Sequence, residues 1–226
     1  HNGNFIVEDF LEKEGNSSDC DSFTIDGELV FCSFNDQHFD SQALNPYTPA
    51  AFSWPSTMPQ WAQDELMSEL QRLMSLLKVK TGVYNIETRL CKNGKPYIME
   101  LAPRGGGNRL SEMMKYISGQ DLIDNCVRAA VGDSIDEIHQ PVYDGYWAEI
   151  ILHSERDGVF QSIEIDKTVE ERFLIEKDIW VKTGDKVQGF TGANTTIGTL
   201  VLRFNTNEEM TYCLSNQETW LEIIVL

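Results

Sequence analysis

The sequence predicts an α+β fold, an antiparallel sheet with helices packed on it, followed by a smaller, mostly β unit. Three observations predict it. Two stretches read as hairpins, each closing on a pair that tolerates positive φ, Asp26-Gly27 and Asn93-Gly94. Between them Trp61, Leu66, Leu70, Leu73, Met74 and Leu77 recur at helical spacing. From about Pro141 short alternating runs with glycine turns replace that periodicity. The chain therefore divides into residues 1–138 and a β-rich subdomain, 139–226.

Taken in order, Phe5 to Leu11 (FIVEDFL) reads as a short strand and EKEGNSSD after it as a polar loop. Phe23 to Phe34 forms the first hairpin. Asn35 to Pro59 holds four prolines and no periodicity, the texture of a long connector or lid. Pro59 is suited to the start of a helix reaching about Lys80. Gly82 to Leu110 holds the second hairpin. Arg109 to Ile117 and Asp121 to Val131 read as helices stopped by Gly119 and Gly132. YWAEIILHS, GVFQSIEI, DIWVKTGDKV and TTIGTLVLRF read as strands, and Thr206-x-x-Glu209 as a capping box for a short helix. LEIIVL closes the chain as a strand.

Bulk properties narrow the function classes. Net charge is −18, with 36 acidic residues against 18 basic, so no basic stripe serves nucleic acid or an anionic membrane. No apolar run approaches the roughly 18 residues of a membrane span. Five widely spaced cysteines without a C-x-x-C pair argue against a disulfide framework or a zinc site. They point to a reducing, cytoplasmic location.

The second hairpin carries the chemistry. With Asn93-Gly94 as its whole loop, Lys92 faces Lys95 and Glu87 faces Glu100. Ile86, Leu90, Tyr97, Met99 and Leu101 then line the core. Asn85, Glu87, Arg89, Ile98, Glu100, Ala102 and Arg104 share the other face. Two directly opposed carboxylates, with Cβ atoms about 5 Å apart, repel by a few tenths to about 1 kcal/mol. A hard divalent cation, Mg2+ or Mn2+, would relieve that repulsion and bring phosphate oxygens with it.

Ile98-Met99-Glu100-Leu101-Ala102-Pro103-Arg104, continued by Gly105-Gly106-Gly107-Asn108, resembles the signature of the ATP-grasp superfamily. Gly82-x-x-Asn85-x-Glu87 resembles that family's partner strand, and Val7-Glu8-Asp9-Phe10-Leu11 its adenine-binding hinge. Over about residues 5–132 the resemblance implies the C-terminal lobe of an ATP-grasp fold. The remainder is similar, more weakly, to the small β subdomain of carboxylate–amine ligases such as L-amino-acid ligases and N5-carboxyaminoimidazole ribonucleotide synthetases.

The resemblance implies an ATP-dependent ligase that activates a small carboxylate as an acylphosphate and passes it to an amine or thiol. Its cofactors would be ATP and Mg2+ or Mn2+. Glu87 and Glu100 would hold the metal on the β- and γ-phosphates. Arg104 would hold the carboxylate or acylphosphate, and Arg89 would touch phosphate or pair with Glu87. The backbone from Glu8 through Asp9 and Phe10 to Leu11 would bind the adenine edge. Glu12 or Glu14 would reach the ribose. Gly105 to Asn108 would let backbone approach the substrate.

Two departures stand out. The family's third metal ligand, an Asn two residues after the second glutamate, is Ala102 here, so Asn85 or Asn108 is expected to supply the amide oxygen. No glycine-rich phosphate loop precedes the hinge, so the chain is expected to be the C-terminal portion of a longer enzyme, inactive without its N-terminal lobe. Alternatives within the superfamily are a purine-biosynthetic carboxylase-like or carbamoyl-phosphate-synthetase-like enzyme. Outside it stands an inert scaffold module derived from the fold. A homodimer is left open.

Overall fold

The computed structural model describes residue 3 and residues 5–226. Its strands and α-helices, in chain order, are β1 (Lys13–Ile25), β2 (Glu28–Ser33), β3 (Asp36–Phe39), β4 (Pro49–Trp54), α1 (Gln60–Leu77), β5 (Gly82–Cys91), β6 (Pro96–Ala102), α2 (Leu110–Ser118) and α3 (Leu122–Val131). There follow β7 (Tyr146–His153), β8 (Gly158–Ile165), α4 (Lys167–Phe173), β9 (Leu174–Ile179), β10 (Lys186–Val187), β11 (Thr196–Phe204), α5 (Asn207–Ser215) and β12 (Leu221–Val225). The architecture is α+β, and every strand pair in its sheets is antiparallel.

A four-stranded sheet, β2-β1-β5-β6, carries the two hairpins. Asp26 and Gly27 both take positive φ, 50° and 88°, as a two-residue hairpin loop requires. One face of this sheet packs on α1, through Cys20, Cys32, Phe34, Tyr84, Ile86 and Leu90 against Ala62, Leu66, Leu70 and Met74. The helix buries a stripe at strict four-residue spacing. Trp61 and Leu77 fall outside it and stay 51% and 57% exposed, contrary to the apolar pattern.

A five-stranded sheet, β3-β4-β7-β11-β9, draws strands from both sides of residue 138. The stretch Asn35–Pro59 is therefore not an irregular connector, because β3 and β4 lie in it. Its composition hid them: PAAFSW is short and bounded by prolines, yet all of Ala50 to Trp54 is buried where β4 adds to β7. A three-stranded sheet, β10-β8-β12, covers the other face of this sheet together with α4 and α5.

The N-terminal expectation is also corrected. Phe5 to Leu11 forms no strand, and Phe5, Ile6, Val7 and Phe10 are 83–90% exposed. The polar stretch after it is the start of the 13-residue β1. Pairing outweighs composition here: β1 runs beside β5 from Lys13↔Cys91 to Thr24↔Gly82, and its polar side chains find partners such as Asn35, Tyr84 O and Lys80 O. Of the apolar residues before it, only Leu11 is half-buried among the described residues. A helix missed by sequence, α4, starts from Asp166, whose carboxylate accepts from Thr168 N and Val169 N.

The Gly119 and Gly132 stops hold, with φ of 75° and 83°. Among the described residues no helix is long and apolar enough to cross a membrane. Truncating Leu70, fully buried between α1 and the sheet, should cost about 2–5 kcal/mol. Denaturant unfolding of Leu70→Ala measures it, and a loss under 1 kcal/mol would mean α1 is not a core helix.

Candidate functional site

Register decides which side chains meet. The hairpin loop has three residues, not two: Cys91 N donates to Lys95 O (3.0 Å), Gly94 N to Cys91 O (2.8 Å), and only Gly94 takes positive φ. Asn93 Oδ1 accepts from Lys95 N (3.1 Å), which favours a type I turn ending in a left-handed glycine. Lys92 therefore does not face Lys95. A bulge at Met99 then inserts one residue into β6, so Thr88 pairs with Ile98 while Glu87 still pairs with Glu100.

The longer loop and the bulge cancel at the glutamates. They do not cancel nearer the turn. Ile98 joins the core under α1, whereas Met99 is 43% exposed on the bulge. Tyr97, across from Arg89, moves to the face of Glu87.

That face is richer than sequence showed, because β1 lies on the other side of β5. Ser17, Asp19 and Asp21 stand across from Arg89, Glu87 and Asn85. A row of three carboxylates, Asp19–Glu87–Glu100, thus crosses three strands, with Asp21–Asn85–Ala102 as the row beside it. Further along, the face turns apolar at Phe23 and Val83 and enters the core beneath the five-stranded sheet. Asp19 and Asp21 went unrecognised because their stretch read as loop; the alternation Ser17, Asp19, Asp21, Phe23 was the available signal.

Asp21 is buried and fully engaged. Its Oδ1 accepts from Gly106 N (2.9 Å) and Asn85 Nδ2 (3.1 Å), and its Oδ2 from the Ser111 hydroxyl. Burial nevertheless raises its pKa. Asn85 Nδ2 also donates to Asp19 Oδ1 (2.5 Å). Burial, only partly offset by that hydrogen bond, lifts the Asp19 pKa to about 7, and Glu87 and Asp21 push the same way. Glu87 is raised by partial desolvation and by Glu100 across from it.

The glycine loop is packed against the protein itself. A Cβ at Gly106 would stand 2.6 Å from Leu110 Cδ1 and 2.8 Å from Asn85 Nδ2, and one at Gly105 would collide with the Ser111 hydroxyl. Only Gly107 faces open space. Close approach to substrate is therefore not why residues 105 and 106 are glycine. Asn108 and Arg109 both take left-handed φ, 50° and 66°. From there Arg109 reaches the second sheet, pairing with Glu176 (2.5 Å) and donating to Thr199 (3.0 Å), and so ties the loop to β9 and β11. Sequence gave no sign of this residue.

The other expected residues fall as follows. Arg104 is exposed, makes no ion pair among the described residues, and spends one nitrogen on Gly105 O (2.8 Å). Its charge lowers the pKa values of Asp19, Asp21 and Glu87. Arg89 is committed to the protein, through Ser17 Oγ and Leu11 O (both 3.2 Å). Glu8, Asp9 and Phe10 are exposed in extended chain, Leu11 is half-buried, and Glu14 is exposed on β1. Glu12 pairs with Lys92. Asn108 makes no hydrogen bond to the carboxylate rows.

Among the described residues no three His, Cys, Asp or Glu side chains converge tightly enough to hold a metal alone. Mg2+ does not need three, because it takes one or two carboxylates and completes its shell with phosphate and water. The opposed Glu87 and Glu100 fit that demand. Asn85, in the row beside them, has its nitrogen committed to Asp19 and Asp21, and its oxygen makes no hydrogen bond among the described residues.

No family model matches the sequence. Residues of the chain are 28% identical over 118 positions to carnosine synthase 1 of Gallus gallus, covering 52% of this chain and 12% of that protein. The L-amino acid ligase of Bacillus licheniformis superposes with a TM-score of 0.77 at 18% identity, over 96% of this chain and 53% of that one. A biotin carboxylase domain of Hydrogenobacter thermophilus 2-oxoglutarate carboxylase, solved with MgADP and bicarbonate, gives 0.68 at 15% identity, over 93% and 46%. The chain has the fold of ATP-grasp ligases. It spans about half the length of these solved chains.

The raised Asp19 pKa has a sign. A carboxyl whose folded pKa exceeds its unfolded value contributes stability below the unfolded pKa and loses it as pH rises through the folded one. From about pH 4 to 7 the wild type should therefore lose ground to Asp19→Asn, whose amide oxygen can still accept from Asn85. Melting temperatures at pH 5 and pH 8 check this. A gap that stays constant would show that Asp19 ionises normally.

Proposed function

We propose that the chain is the C-terminal portion of a longer ATP-grasp ligase that joins a small carboxylate to an amine through an acylphosphate. The observation that carries this reading is the Glu87–Glu100 pair, held face to face by a bulge, with the charge of Arg104, which makes no ion pair among the described residues, acting on Glu87. Opposed carboxylates cost stability in a hairpin unless a cation joins them. An inert scaffold has no use for that cost.

In this reading Glu87, Glu100 and the Asn85 oxygen hold Mg2+, which when bound neutralises charge on the nucleotide phosphates. Arg104 anchors the substrate carboxylate, a task matched to its planar fork of donors. A carboxylate oxygen attacks the γ-phosphorus, and ADP leaves. The amine then attacks the acyl carbon, phosphate leaves with the C–O bond electrons, and the nitrogen gives up a proton. Backbone groups of Glu8 to Phe10, which make no hydrogen bonds among the described residues, would meet the adenine edge, with Phe10 as its apolar neighbour. Arg89 braces this segment through Leu11 O and contributes by position, not by touching phosphate.

Two outcomes test the proposal in the full-length enzyme. Glu100→Gln should lower carboxylate-dependent ADP release by about 100-fold or more, the scale of losing an electrostatic contact in the transition state. Hydroxylamine should trap the activated acyl group as a hydroxamate in the wild type and not in Glu100→Gln. ADP release that ignores both the carboxylate and the substitution would overturn the reading. Separately, Arg104→Lys should raise the KM for the carboxylate at least tenfold, since a point charge cannot reproduce a bidentate contact. An unchanged KM would remove Arg104 from the carboxylate site.

A further inference from the structure

Position 102 is alanine and offers no amide oxygen to a cation. Asn85 stands directly across from Ala102, on the same face as Glu87 and Glu100. Which way its amide points is decided by Asp21. That carboxylate already accepts from Gly106 N and from the Ser111 hydroxyl. The same Oδ1 that takes the Gly106 N–H also accepts from Asn85 Nδ2, so the Asn85 nitrogen is turned toward β1, where Asp19 takes it as well. The amide oxygen, the other branch of the same planar group, makes no hydrogen bond among the described residues. Opposite it the Ala102 side chain is a single methyl.

We propose that Asp21 is the positioning residue of the cation site: it fixes the Asn85 amide with oxygen toward the Glu87–Glu100 pair and, through Gly106 and Ser111, locks the glycine loop to the same point. The ligand amide has in effect moved from β6 to β5. Asp21 would be the outer-shell partner of a ligand, a role whose loss typically costs 10–100-fold in metal affinity. This inference rests on the function proposed above, since it needs a divalent cation between the glutamates.

A purely structural role for Asp21 would also weaken the site when removed, so the test is a cycle. Mn2+ affinity is measured by electron paramagnetic resonance in the full-length enzyme with ADP, for wild type, Asn85→Ala, Asp21→Asn, Ala102→Asn, and the pairs Asn85→Ala/Ala102→Asn and Asp21→Asn/Ala102→Asn. Asn85→Ala and Asp21→Asn should each lose tenfold or more. Restoring an amide at 102 should recover most of either loss, because the ligand no longer depends on β5 or on Asp21. A full Asp21→Asn loss that persists beside Ala102→Asn would make Asp21 a structural anchor only.

Asn85→Ala binding Mn2+ as well as wild type would overturn the relocated ligand. Melting curves of the metal-free variants identify any that fail to fold. Should Asn85→Ala fail, the Asp21→Asn pair decides alone; should Asp21→Asn fail, the Asn85→Ala pair does. Failure of the wild type itself to bind Mn2+ with ADP would overturn the proposed function, and this inference with it.

Discussion

Asp21 is the carboxylate on which the candidate site depends. Removing a charged group from water is expensive unless donors surround it. Asp21 meets that condition with one backbone N–H, one hydroxyl and one amide, drawn from the glycine loop, α2 and β5. Strands β1 and β5 and the loop that leads into α2 are thereby held at one point. The loop can lie that close only because Gly105 and Gly106 carry no side chain. Arg109, one turn later, fastens the same loop to the second sheet. Arg104 emerges from a segment gripped at its far end by Asp21 and by Arg109.

The sheet face around Asp21 stores electrostatic cost. Asp19, Glu87 and Glu100 lie in one row, and Arg104 approaches without pairing. Burial first, and then the neighbouring carboxylates, raise the pKa values of Asp19 and Glu87, against the opposing charge of Arg104. The arrangement becomes favourable when a cation and phosphates enter, since attraction to a divalent ion outweighs repulsion between neighbours that share it. Perturbed carboxyls grouped on one face are the pattern of functional sites more than of scaffolds. Phe5, Ile6, Val7 and Phe10 are exposed just before the point where Arg89 and Lys92 hold the chain at Leu11 and Glu12.

Much of this was legible in the sequence, though not always for the right reason. Glu87 did meet Glu100, but through a three-residue loop and a compensating bulge instead of a two-residue turn. Neither is visible to periodicity, because a type I turn with glycine and a tight type I′ turn both favour Asn-Gly. The glycine and helix signals after Arg109 held because caps are local. β4 and the start of β1 were missed because their strand character comes from neighbours: β7 imposes it on PAAFSW, and β5 on GNSSDCD. With β1 misread, Asp19 and Asp21 dropped out of the candidate site. Arg109 lay beyond reach for a simpler reason, since the partners that tie it to the second sheet, Glu176 and Thr199, stand more than sixty residues away in the chain.

A crystal structure of the full-length protein with ADP and Mn2+, read through the anomalous signal of the metal, tests whether the glutamates and Asn85 share a cation. A manganese peak is expected within coordination reach of both the Glu87 and Glu100 carboxylates, with the Asn85 oxygen in its shell and the Asn85 nitrogen still on Asp21. A peak bound elsewhere, or a shell in which Asn85 takes no part, would contradict that expectation.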